Sequence, residues 1–296
     1  MFKNILVPLD GSTLSEAALG PAAFLAERLH SPLTLLHVIE QDAPAEVHQE
    51  HHLREPGEAE AYLKDVAARA LPASVRVKTH VHSAPVADVA KSIVEHATTE
   101  FKPDLIVICT HGRTGMLDVL FGSIALQVIG RGNTPLLLIT PESPAFKLDR
   151  ILVPLDPDSV HDDSLPPAEF LAGRFQSQLI LLSVIPTLAT LTGELAATGS
   201  LMPATTHAFL DMREENAGKH LQEHVEEFRK KGIKASVEVA RGDPAAMILK
   251  SAEQSDTDLI VLSTHGKAGI GAFWARSVAP KVAQRTRLPL LLIPLN

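Results

Sequence analysis

The chain has 296 residues, 45% of them hydrophobic and 21% charged, with a net charge of −8, a length and composition that suit two soluble domains of about 150 residues each. Aromatic residues make up only 4%, so aliphatic side chains must build the core; this argues against base-stacking platforms for single-stranded nucleic acid, and the acidic balance opposes phosphate-backbone and membrane-surface binding. A single cysteine, Cys109, excludes an intramolecular disulfide or cysteine zinc cluster, and with no secretory leader and no apolar run of about 20 residues the expectation is a cytoplasmic protein.

In chain order, ILVPL (5–9) is a short branched apolar run closed by Asp10, the pattern of a strand buried on both faces. Thr13 and Glu16 then have capping-box spacing, and Leu14, Ala17, Ala18, Phe24, Leu25 and Leu29 recur at helical intervals, with Gly20-Pro21 placed to break or kink the helix. LTLLHVI is a second strand, about 57–71 a second helix, VRVKTHV a third strand and PVADVAKSIVEHATTE a third helix. DLIVICT, GSIALQVIGR and PLLLI complete the unit as strand, helix and strand.

The pattern then repeats. ILVPLD returns at Ile151, LTLLHVIE is answered by LILLSVIP, DLIVICTHGRTG by DLIVLSTHGKAG and TPLLLITP by LPLLLIPL, in the same order. The spacing grows between the second and third matches, which puts an insertion in the second copy around 187–206. The predicted domains are 1–141 and 149–296, joined by a proline-containing linker, 142–148. Each is expected to be an α/β, Rossmann-like, doubly wound domain with a five-stranded, mainly parallel sheet flanked by helices.

Ligands of such sheets bind beyond the carboxyl ends of the strands, where the strand order reverses. After the fourth strand come Gly112, Arg113 and Gly115, then Gly122-Ser123 opening a helix. Glycines permit close backbone approach, and a helix start offers free N–H groups and a positive dipole end to phosphate. Asp10 lies at the same edge, either to hold a ribose hydroxyl or adenine amino group or to cap the next helix. Cys109 reads as a buried small hydrophobe, and His111 and His265 as residues that shape the two THG turns. HVEEFRKKG (224–232) reads as an exposed helix end stopped by glycine. His48 and His52 have i, i+4 spacing, but no matching cysteine or acid accompanies them or His51. They read as a solvated loop, and no metal ligand is assigned.

With Gly112, nine residues, and then Gly122-Ser123, the chain resembles a tandem universal stress protein of the ATP-binding subgroup, over nearly its whole length. Cys109 stands where that subgroup's signature has its first glycine. The resemblance implies a regulatory, stress-response protein that binds ATP, with Mg²⁺ admitted, and hydrolyses it slowly at most. It implies that Pro8, Leu9 and Asp10 line the adenine and ribose end, that Val38 after the second strand meets the base, and that Ile108 and Cys109 form the pocket wall. Gly112, Arg113, Gly115, Gly122, Ser123, Ile124 and Ala125 would surround the phosphates. The family's glycine after strand three is answered here by Ser83-Ala84, and in the second copy by Gly242. In that copy Pro154, Asp156, Val184, Gly266, Arg276 and Ser277 hold the matching places; Ser263 replaces the first glycine, Pro157 stands for Gly11, and the motif is degenerate, with Arg276 in the phosphate position either to block the site or to swing aside and neutralise phosphate. The last strands, 135–139 and 289–293, are expected to pair the copies as an intramolecular pseudo-dimer, itself able to form a homodimer. The competing readings are an interaction scaffold without nucleotide and a weak ATPase enzyme; the chain has no Walker lysine motif.

Overall fold

The computed structural model describes residues 1–47, 50–110, 123–156, 159–265 and 278–295. The first copy contains β1 (Ile5–Pro8), a 3-10 turn (Ser15–Ala18), α1 (Leu19–Leu29), β2 (Leu33–Glu40), the short hairpin β3 (Glu46–Val47) and β4 (Glu50–His51), and α2 (Pro56–Ala70). It continues with β5 (Val77–Val86), α3 (Val89–His96), a π turn (Ala97–Phe101), β6 (Leu105–Cys109), α4 (Ser123–Arg131) and β7 (Leu136–Ile139). The second copy contains β8 (Arg150–Leu155), a 3-10 turn (Ser159–Ser164), α5 (Leu165–Phe175), β9 (Gln178–Ile185), α6 (Glu194–Leu201) and α7 (Pro203–Lys230). It closes with β10 (Ala235–Arg241), α8 (Pro244–Gln254), β11 (Leu259–His265), α9 (Val278–Ala283) and β12 (Leu290–Leu295).

The strands other than β3 and β4 form one ten-stranded sheet, β10-β9-β8-β11-β12-β7-β6-β1-β2-β5. Within each copy neighbouring strands are parallel, and the order reverses between β1 and β6 and again between β8 and β11. The copies meet where β7 and β12 pair antiparallel, with Leu138, Leu137 and Leu136 opposite Leu290, Leu291 and Leu292. These leucines are buried, and each stabilises by about 2 kcal/mol relative to exposure.

Alternation along the strands builds a core on each face. Ile5, Val7, Leu105, Val107, Leu137 and Leu291 pack beneath α1, α2, α5 and α7. Leu6, Ile106, Leu136, Leu138, Leu290 and Leu292 pack beneath α3, α4, α8 and α9. Each core runs through both copies, so the duplication has made three continuous layers. At the amino edge, Asp104 accepts from the N–H groups of Lys3 and Asn4, both at 2.9 Å, and Asp258 from those of Asp149 and Arg150, at 2.9 and 2.8 Å. The aspartate of each DLIV run therefore fixes where the first strand of its copy begins.

Several local expectations change. Gly20-Pro21 does not break a helix: α1 starts at Leu19, so Pro21 lies in the first turn, where N–H groups have no intrahelical partner. The capping box does not form. Ser12 Oγ, not Thr13, accepts from the first N–H of the 3-10 turn, that of Ser15, at 3.2 Å, and Glu16 turns instead to α2. Pro85 and Val86 belong to β5, and α3 starts after Asp88, whose Oδ1 accepts from the Lys91 N–H at 2.9 Å. Asp243 caps α8 through the Ala246 N–H in the same way, also at 2.9 Å. The residue matching Gly242 is therefore Ala87, not Ser83-Ala84. The insertion is helical: α6 and the first part of α7 cover Ile185 and Leu191 through Leu210 and Ala217. The run 224–232 does end a helix before Gly232 (φ 76°), although Val225 and Phe228 within it are buried.

Candidate functional site

A right-handed crossover sends each helix back antiparallel to its strands, so α4 begins at the carboxyl edge of the sheet, beside the β1/β6 reversal. The chain leaves β1 through Leu9, whose N–H donates to the Leu36 carbonyl at 2.9 Å. Asp10 Oδ1 then accepts from the Ser12 N–H at 2.9 Å and the Ser12 hydroxyl at 2.7 Å. Between them Gly11 has φ 94°, and a Cβ there would meet Leu53 Cδ1 at 2.7 Å. The corner needs glycine for both torsion and space. Asp10 braces this corner and does not cap a helix, because the first helical turn begins only at Ser15. β4 closes over the corner, with Glu50 Oε2 accepting from the Thr13 N–H at 2.7 Å.

The sequence-predicted residues divide between the two faces. Val38, Ile108 and Ala125 come together in the core beneath α3 and α4, and Ile124 stands exposed on the first turn of α4. Val38 lies inside β2, which continues to Glu40, and not beyond the strand. Leu9 and Cys109 point the other way, into the core beneath α1. Cys109, in place of glycine, therefore adds its thiol to the opposite core instead of lining a pocket with Ile108. Burial pushes that thiol up to about 12, with the charges of Asp10 and Glu142 adding to the shift, so it stays protonated and unreactive at neutral pH.

Sequence reasoning missed His37. It is buried beside the corner, with Nδ1 2.8 Å from the Leu9 carbonyl and Nε2 3.2 Å from the Leu53 carbonyl. A neutral ring has one N–H for these two acceptors, and the shorter contact assigns it to Nδ1. Burial holds the His37 pKa below its ordinary value against the raising effect of the two carbonyls. The signal was present in the repeat, where LLHV is answered by LLSV.

In the second copy Pro154 lies in β8, Asp156 follows its last residue, and Val184 is buried on the face matching Val38. Ser183 takes the place of His37 and Ser263 that of Cys109. The buried hydroxyls of Ser164, Ser183, Ser263 and Thr264 have no hydrogen-bond partner among the described residues. Gly112, Arg113, Gly115, Gly122, Gly266, Arg276 and Ser277 lie outside the described residues, as do His48, His111 and Pro157. His51 reaches Glu58 at 3.4 Å, while His52 is buried with Nδ1 unpartnered among the described residues.

At the opposite, amino edge a cleft of about 420 Å³ lies between the copies, lined by residues including Phe24, Arg28, Lys147, Arg174 and Phe175. It is far from the strand reversals, and the Arg174 guanidinium is engaged there by the Arg28 carbonyl at 2.9 Å. No described helix is long and apolar enough to cross a membrane.

Two α/β domains of this topology, each reversing strand order beside an aspartate corner, define a tandem, doubly wound architecture. The family model described as universal stress protein family matches residues 1–140 and 147–294, and the chain belongs to that family. A universal stress protein of Mycolicibacterium smegmatis is 25% identical over 312 residues, covering 98% of this chain and 96% of the relative. One of Methanocaldococcus jannaschii is 33% identical over 147 residues, covering 47% of this chain and 82% of the relative. The crystal structure of a universal stress protein from Archaeoglobus fulgidus has the same fold, with a TM-score of 0.71 and 18% identity over 99% of both chains.

Proposed function

We propose that the protein is a regulatory, stress-response protein that binds an adenine nucleotide, ATP with Mg²⁺, at the carboxyl edge of the first copy. The observation that carries this reading is the Asp10 corner at the strand reversal, on the edge where α4 begins, with Val38, Ile108 and Ala125 buried in the core on the α4 side of the sheet. An apolar floor suits a base, a carboxylate edge suits a ribose, and a helix start suits phosphates. The Gly112 and Gly122-Ser123 pattern in sequence supports the phosphate end. Catalysis is secondary in this reading, since the described residues of the site contain no nucleophile poised beside a base.

A second site in the second copy is favoured by buried hydroxyls that have no partner among the described residues, each of which costs about 1–3 kcal/mol unless another group, a ligand or water satisfies it. The test is the nucleotide released on denaturing the purified protein, compared with Gly122→Arg, which copies the arginine of the second copy. Near one equivalent of ATP or ADP per chain, lost in the variant, supports the first-copy site. Two equivalents, with one surviving in the variant, add the second. No nucleotide and no uptake of ATP with Mg²⁺ would leave an interaction scaffold.

A further inference from the structure

The second copy carries a cluster of metal-ligating side chains outside its sheet edge. The 3-10 turn after β8 presents Asp162, and α7 presents His220 and His224. Spacing of i, i+4 stacks the two imidazoles on one side of the helix, and their Nε2 atoms are 3.3 Å apart. Asp162 Oδ2 is 3.4 Å from Nε2 of His220 and 3.3 Å from Nε2 of His224. We infer that these three atoms form a binding site for a zinc-type divalent ion.

The dimensions fit the ion. A tetrahedral zinc bound at about 2.0–2.1 Å holds its ligand atoms roughly 3.3–3.4 Å from one another, which is the size of this triangle. Two imidazoles and one carboxylate are also the donor set such an ion takes, with water in the fourth position. The three side chains are about one-quarter exposed, so an ion and its water can reach them. Three acceptor atoms turned inward at this distance repel without a cation between them, unless protons take its place.

The first copy shows the alternative solution. Glu16 occupies the position of Asp162 in the repeat, and it is held by Arg69 at 2.6 Å and by the Tyr62 hydroxyl at 3.2 Å. Tyr62 and His220 have matching places, each just before a buried leucine, Leu63 or Leu221, and three residues after a buried alanine, Ala59 or Ala217. The first copy thus supplies its own cation to the carboxylate. In the second, among the described residues, no lysine or arginine lies within ion-pair distance of Asp162, and its Oδ1 is buried without a partner. The ion takes the place of the guanidinium and pins the turn that follows Asp156 to α7. A looser group in the first copy, His80, His96 and Glu100, has its carboxylate 3.7 and 3.8 Å from the rings and fits the ion less well.

The experiment titrates the metal-free full-length protein with zinc alone, by calorimetry, and with Co²⁺, whose visible absorption reports a tetrahedral site. The expected result is one tightly held zinc per chain and a tetrahedral Co²⁺ spectrum. Both should be lost, or weakened at least the ~100-fold that even a supporting ligand contact is worth, in His220→Ala/His224→Ala and in Asp162→Asn. Both should be retained in His80→Ala. Circular dichroism checks that the helical variant is folded, and the milder Asp162→Asn serves if it is not. The inference is overturned if the wild type takes up no zinc at micromolar concentration, if the folded variants keep its affinity and stoichiometry, or if only His80→Ala loses the ion.

Discussion

The two copies share a scaffold and differ at their working edges. Ile5, Val7, Leu105 and Val107 in the first and Ile151, Val153, Leu259 and Val261 in the second occupy the same layer, and Asp104 and Asp258 make the same clamp. At the carboxyl edge, His37 faces two carbonyls where Ser183 has no described partner, and Cys109 stands where the second copy has Ser263. Outside the sheet, a carboxylate paired with arginine in one copy faces two histidines in the other. The difference teaches where a duplicated sheet is free to change. The amino-terminal and central parts of the strands are packed on both faces, so a changed volume is felt on each side; positions in the carboxyl-terminal halves of the strands, next to the connecting loops, and positions outside the sheet have diverged.

The largest expected effect tests whether the copies are one folding unit. Leu291 is buried opposite Leu137 at the seam, and Leu291→Ala should cost about 3 kcal/mol of unfolding free energy, measured by urea denaturation followed by circular dichroism. A cost below ~1 kcal/mol would mean that the copies unfold independently of their seam.

A smaller effect distinguishes the two corners. Gly11→Ala forces a side chain into φ 94° against Leu53, and should lower stability by about 2 kcal/mol. Adding Leu53→Ala should relieve the steric part and leave the torsional part. No loss in Gly11→Ala would show that the corner relaxes freely.

The smallest signal is a pH slope. The folded His37 pKa is held below the ordinary 6.5, so on acidification the unfolded ring takes its proton first. Stability from this residue is present above pH 6.5 and is lost as the pH falls from 6.5 toward the lower folded value. His37→Ser, which copies Ser183, should flatten the fall in Tm between about pH 7 and pH 5. An unchanged slope would show that His37 is not a source of acid sensitivity.

Much of this was legible in the chain. The repeat, the strand positions and the parallel order follow from ILVPLD, DLIV and PLLLI recurring at the right places, because a strand buried on both faces must be almost wholly apolar; the pairing of the last strands rested on the family resemblance, and its antiparallel sense is seen only in the fold. The same property hid the side-chain directions. Adjacent residues of a strand point to opposite faces, so Ile108 and Cys109 must enter different cores; the all-apolar DLIVIC run leaves open only which core each enters, and the shared pocket wall is what the family resemblance implies. Glu16 was read as a local cap because its spacing from Thr13 fits, whereas Arg69 and Tyr62, far along the chain, claim it in the fold.

The sequence by itself determined the two units and their class, since these depend on local periodicity and on repetition. Only the tertiary structure decided that His37 closes onto the Asp10 corner and that Asp162 meets His220 and His224. Those contacts join residues separated by up to 62 positions, and their energies depend on distances that no spacing along the chain encodes.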